Sequence, residues 1–152
     1  MNDVINMLLN GKDIFSYNIT PTKGTLKALQ QPAKYKKTIM NENAAMHGTR
    51  IVTTPSKRRK DKRTVIIPFV CEMGSLYELE QAKDRLEALL VAGRDNSGIN
   101  ELYVPNLGKC YRLWFEDIEK YDNFGTSGMA TFQIKFTEPD PTNVSIPSYI
   151  AQ

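Results

Sequence analysis

The densest charge in the chain is Lys57-Arg58-Arg59-Lys60-Asp61-Lys62-Arg63, in which six bases accompany one acid. Bases clustered this way can bind phosphates by counterion release. They can equally pair with an acidic patch on a neighbouring subunit, or keep a hairpin tip solvated and discourage edge-to-edge aggregation. No aromatic side chain is interleaved with them, so stacking on a nucleic-acid single strand has no platform here. The overall balance, +3 from 20 basic and 17 acidic residues, is too mild to imply a nucleic-acid partner by itself.

Other chemistry is sparse. His47 is the sole histidine, and Ala44, Ala45, Met46 and Gly48 around it supply no recognisable nucleophile or orienting motif. Cys71 and Cys110 lie in separate apolar runs without C-x-x-C spacing; buried free thiols are the first reading and a cross-strand disulfide the second. One histidine and two separated cysteines make no metal set. Glu116-Asp117-Ile118-Glu119 reads as a solvated strand end. Gly125-Thr126-Ser127-Gly128 lacks the lysine of a phosphate loop and precedes a strand. The chain is therefore read as non-enzymatic, with no cofactor and no metal.

The elements that must position these residues fit one domain, since 152 residues is near the modal domain size. Asn10-Gly11 is a turn dipeptide opening a first strand that runs to Thr20. From Ala33 to Gly48, polar residues alternate with isolated apolar ones, Tyr35, Ile39, Met40 and Met46, and bury too little to stand alone; this is a loop or an arm. Arg50–Thr54 and Thr64–Cys71 read as a hairpin with the basic run at its tip. Pro68 cannot donate a ladder hydrogen bond, which puts its strand at an edge or at a bulge. Ser75 and Glu78 form a capping box, Leu76, Leu79, Ala82, Leu86, Leu89 and Leu90 make one stripe, and Gly93 caps the end: a helix over 75–92. Strands follow at 101–105, at 110–118 with Trp114 on the outer side, and at 129–136 with Ala130, Phe132, Ile134 and Phe136 inward. Met1 to Asn10, with Asp3 and no long apolar stretch, fits neither a signal peptide nor a membrane span, so a soluble protein made inside the cell is expected.

This order of elements resembles the N-terminal domain of the distal tail protein family of long-tailed phages, and more loosely the related tail-tube and baseplate-hub folds. Three places carry the likeness. They are Gly48-Thr49-Arg50-Ile51-Val52 leading through the basic run to Arg63-Thr64-Val65-Ile66-Ile67-Pro68-Phe69; the helix ending in Leu89-Leu90; and Phe132-Gln133-Ile134-Lys135-Phe136 running into Glu138-Pro139-Asp140-Pro141.

The resemblance implies an α+β, mainly β fold: a β-sandwich or partly closed barrel with one flanking helix, over residues 1–141, followed by a polar tail, 142–152. It implies a structural component of a phage or prophage tail hub or baseplate, made in the host cytoplasm and then part of the virion tail. Its partners are copies of itself, in a hexameric ring, and other tail proteins, without a membrane. Tyr35, Ile39, Met40, Met46, Arg50, Pro68 and Trp114 are the expected subunit contacts. A ring that passes DNA works best where DNA does not adhere, so Lys57, Arg58, Arg59, Lys60, Lys62 and Arg63 are expected to meet a neighbouring protein or solvent, and nucleic acid is not expected as a specific ligand. Larger members continue into a second domain, sometimes sugar-binding, and the likeness here does not extend to it. The alternative function is a basic nucleic-acid-binding module that uses the hairpin tip at 55–63 as a β-ribbon.

Overall fold

Asn10 and Gly11 both take positive φ, 53° and 85°, which suits a two-residue hairpin turn between twisted strands. They join β1 (Leu8–Leu9) to β2 (Lys12–Asp13). The single strand expected up to Thr20 is instead broken. The Asp13 carboxylate accepts from the Phe15 N–H at 3.0 Å and starts a 3-10 turn over Ile14–Tyr17, and only β3 (Ile19–Pro21) resumes extended backbone. The computed structural model describes residues 6–35, 40–42, 49–51, 60–125 and 127–150. Within them follow α1 (Thr25–Gln30), β4 (Met40–Glu42), β5 (Thr49–Ile51), β6 (Arg63–Glu72), α2 (Leu76–Ala92), β7 (Ile99–Val104), β8 (Lys109–Asn123) and β9 (Met129–Glu138).

Seven strands form one antiparallel sheet in the order β2-β1-β7-β8-β9-β6-β3, curled as a half-barrel with α2 on its inner face. The expected mainly β class with one long helix stands, and of the two architectures anticipated the partly closed barrel is the one formed. The expected hairpin of Arg50–Thr54 with Thr64–Cys71 is not. β5 pairs with β4, Met40 opposite Ile51, while β6 pairs along its whole length with β9 and at Phe69, Val70 and Cys71 with β3. Contiguity in sequence suggested the wrong partner, because β6 finds a strand with matching alternation far along the chain.

That alternation builds the core. Val65, Ile67, Phe69 and Cys71 of β6 meet Ala130, Phe132, Ile134 and Phe136 of β9 across the ladder, joined by Tyr111 and Leu113 of β8 and Leu102 and Val104 of β7. Onto this face α2 lays Leu79, Ala82, Leu86 and Leu90, with Leu89 half-buried; Leu76 stays at the rim, outside the stripe. Burying side chains of this size contributes roughly 1.5–3 kcal/mol each. The helix is capped largely as its sequence predicts: Ser75 Oγ accepts from the Glu78 N–H, while the Glu78 carboxylate accepts from Gly74 N–H rather than from Ser75.

Pro68 stands where β3 stops pairing with β6, so its strand is an edge on that side from there to Arg63. Its carbonyl accepts from the Thr22 N–H at 3.0 Å, and because a strand residue's N–H and C=O point the same way, the missing donor faces the side where β3 has just ended. No bond to β9 is lost. On β8, register shifts between Phe115 and Asp117 and between Glu119 and Asp122 turn the strand, so Ile118 faces inward opposite Ile134 while Asp117 and Glu119 stand outward. Residues 142–150, expected as a polar tail, include Val144, Ile146, Tyr149 and Ile150 and lie against β7 and β8. Arg112 donates to the Ser145 carbonyl at 2.6 Å, Cys110 N–H to Val144 at 3.1 Å, and Ile150 is buried. Cys110 lies on this face and Cys71 on the other, so both remain free thiols, and burial pushes the Cys110 thiol up to about 11.

Gly128 is needed where it stands. Its φ is +77°, and a Cβ there would lie 2.6 Å from the Met73 carbonyl oxygen and 2.9 Å from Ser75 N, against the turn that starts α2. Gly128→Ala is expected to lower the free energy of unfolding by about 1–3 kcal/mol or more, as strain of this kind does; urea denaturation checks it, and an unchanged midpoint contradicts the packing described.

Candidate functional site

Glu138 ends β9 at the same parity as Ala130, Phe132, Ile134 and Phe136, and so it points inward and is fully buried. A carboxylate taken out of water needs a cation or donors. Arg63, directly opposite it in the β6–β9 register, supplies them: Nε lies 2.5 Å from Glu138 Oε1. The same guanidinium donates through Nη1 to the Leu29 carbonyl at 3.0 Å and to the Gln31 carbonyl, so it also ties down the end of α1. It lies 5.5 Å over the Tyr111 ring. Burial outweighs the neighbouring Arg63 and raises the Glu138 carboxyl above its ordinary value. Glu138 Oε2 has no hydrogen-bond partner among the described residues.

Around this pair lies an open cavity of about 370 Å³, lined in part by Gln31, Lys60, Lys109, Tyr111 and Pro141. It sits where the chain leaves the sheet and returns. Asp61 N–H donates to the Lys34 carbonyl at 2.6 Å, Tyr35 bridges to Lys60, and the Lys60 ammonium lies 6.0 Å over the Tyr35 ring. The Tyr35–Lys60 bridge thus forms a stem where the described chain breaks off and resumes, and β4 and β5, which lie between these residues in sequence, pair with each other.

The expected contact residues divide accordingly. Ile39, Met46, Lys57, Arg58 and Arg59 lie outside the described residues, as does His47. Met40 and Arg50 belong to β4 and β5. Tyr35 is exposed at the stem, Lys62 is exposed beside it, and Lys60 is half-buried on the cavity wall. Arg63, grouped with the basic run by adjacency, is committed to Glu138. Pro68 and Trp114 share the sheet's outer face. Trp114 is half exposed, between Ile99 and Thr137, and Pro68 is opposite Gln133. Lys135 between them pairs with Glu116 at 3.6 Å and Glu119 at 4.0 Å. Among the described residues no cluster of three or more potential metal ligands occurs, and no helix is long and apolar enough to cross a membrane.

No protein-family model matches the sequence, and no curated protein does. Among solved structures, the SPP1 Dit protein (gp 19.1), described as a paradigm of the hub adsorption apparatus in phages that infect Gram-positive bacteria, matches with a TM-score of 0.57. Sequence identity is 16%, over 91% of this chain and 51% of that one. The two share a fold. The chain spans about half the length of that protein, and the stem, the cavity and the Arg63–Glu138 pair all fall at one end of the shared sheet.

Two structural residues escaped the sequence reading, Glu138 and Asn100. Asn100 is fully buried, donates to the Leu90 carbonyl at 2.8 Å and accepts from Asn10 at 3.0 Å, linking α2 to the β1–β2 turn. Both occupy inward parity on strands whose other inward residues are apolar, which is the signal that could have found them.

Removing one partner of a buried pair strands the other. Arg63→Ala is expected to cost about 3–5 kcal/mol at neutral pH. Burial raises the Glu138 pKa and Arg63 lowers it, so without Arg63 the folded variant takes up that proton more readily than the folded wild type does, and the deficit should shrink as pH falls from 7 toward 5. Denaturation curves at the two pH values test both the size and the sign.

Proposed function

We propose that this chain is a structural component of a phage or prophage tail hub or baseplate, which self-associates into a hexameric ring and contacts other tail proteins. The observation that carries the reading is the fold shared with a phage hub protein across 91% of the chain. A second feature supports it: β4 and β5, which lie between Tyr35 and Lys60 in sequence, pair with each other and, among the described residues, not with the main sheet, which leaves them free to meet a neighbour. The proposed subunit contacts are Tyr35, Ile39, Met40, Met46 and Arg50 of this arm, with Pro68 and Trp114 on the sheet. Assembly takes place in the host cytoplasm and the product resides in the virion tail.

The nucleic-acid reading is the weaker one, because Arg63 is withdrawn from the basic run by Glu138 and two carbonyls. Native mass measurement of the purified chain across a concentration series is expected to show a species of six chains. A chain that remains monomeric throughout, yet binds DNA with a steep salt dependence abolished by alanine at Lys57, Arg58, Arg59 and Lys60, would reverse the order of the two readings.

A further inference from the structure

Charge is unevenly placed on this molecule. Lys34, Lys62 and Lys109 are exposed and Lys60 half-buried around the stem and its cavity, and Lys57, Arg58 and Arg59 adjoin Lys60 in sequence; Asp61 and Asp140 are the exposed acids of that end. α2 presents the opposite character. Its inner stripe is buried, and its solvent side carries Tyr77, Glu80, Asp84, Glu87 and Val91, all exposed, with Arg85 as an exposed base at the margin of that face. Glu80 pairs with Lys83 at 2.9 Å, whereas Asp84 and Glu87 have no ion-pair partner among the described residues. Two large side chains, Tyr77 at 71% and Val91 at 63% exposure, stand at the two ends of this acidic row. A shallow depression between Asp84, Glu87, Ala88 and Val91 adds apolar area beside the acids.

We infer that the solvent face of α2 receives the basic arm root of a second copy of this chain, in a head-to-tail contact. Charge complementarity selects the occupant: three acids at helical spacing meet a run of bases, and the flanking Tyr77 and Val91 offer apolar contact for their aliphatic stems. The two patches lie on different elements, so a copy that uses one keeps the other open for the next copy. Contacts of this heterologous kind close into a ring or continue as a filament. The inference rests on the ring reading above and adds the surface that receives the arm.

Charge reversal tests it. Glu80→Lys, Asp84→Lys and Glu87→Lys combined, on the solvent side of an intact helix, should weaken self-association by about tenfold or more, and so should Lys57→Glu, Arg58→Glu and Arg59→Glu combined. Circular dichroism verifies that each variant is folded. An equimolar mixture of the two variants should regain the assembled mass, because each reversed patch then meets a complementary one. Assembly of the α2 variant at wild-type strength would overturn this inference and leave the ring reading standing, and failure of the mixture to recover would overturn it equally. Wild-type chain that never self-associates would overturn the ring reading and this contact with it.

Discussion

The ion pair between Arg63 and Glu138 holds one end of the structure in register. Four stretches of chain meet there: the last carbonyls of α1, the return of the arm into β6, the end of β9, and Tyr111 near the start of β8. A buried ion pair is not in itself a large source of stability, since desolvating two charges offsets much of their attraction. Its effect lies in what it excludes. Slipping β6 by one residue against β9 would bring Glu138 into the core without its guanidinium and turn Val65, Ile67 and Phe69 outward, so the hydrophobic and ionic requirements fix the same register.

Legibility in the sequence followed the range of the interactions. α2 was readable because its cap, stripe and C-terminal glycine lie within 75–93, and β9 because period-two alternation is local. The pairing of β6 was not, since its partner is distant and the nearer Arg50–Thr54 run offered an equally β-prone alternative. The interruption at Ile14–Tyr17 depends on an Asp13 side-chain hydrogen bond that competes with strand formation. Of the site, Tyr35 and Lys60 were picked out as separate contacts, but their bridge was not foreseen. Arg63 was absorbed into a charge run by adjacency, which carries no information about whether a guanidinium points at water or at a carboxylate. The inward parity of Glu138 and Asn100 did carry that information: a polar residue in an apolar alternation must bring its partner with it.

β4 and β5 form a sheet separate from the seven-stranded one. β4 and β5 take their register from each other, and the main sheet meets that excursion through Tyr35, Lys60 and the Asp61 to Lys34 hydrogen bond. Two residues further along lies Arg63, the first residue of β6. The first rung of the β6–β9 ladder is therefore fixed by charge as well as by backbone hydrogen bonds, because Arg63 is buried against Glu138 directly opposite it. In the proposed ring every subunit would use two different surfaces, and a ladder held in one register between them is what a repeated head-to-tail contact demands.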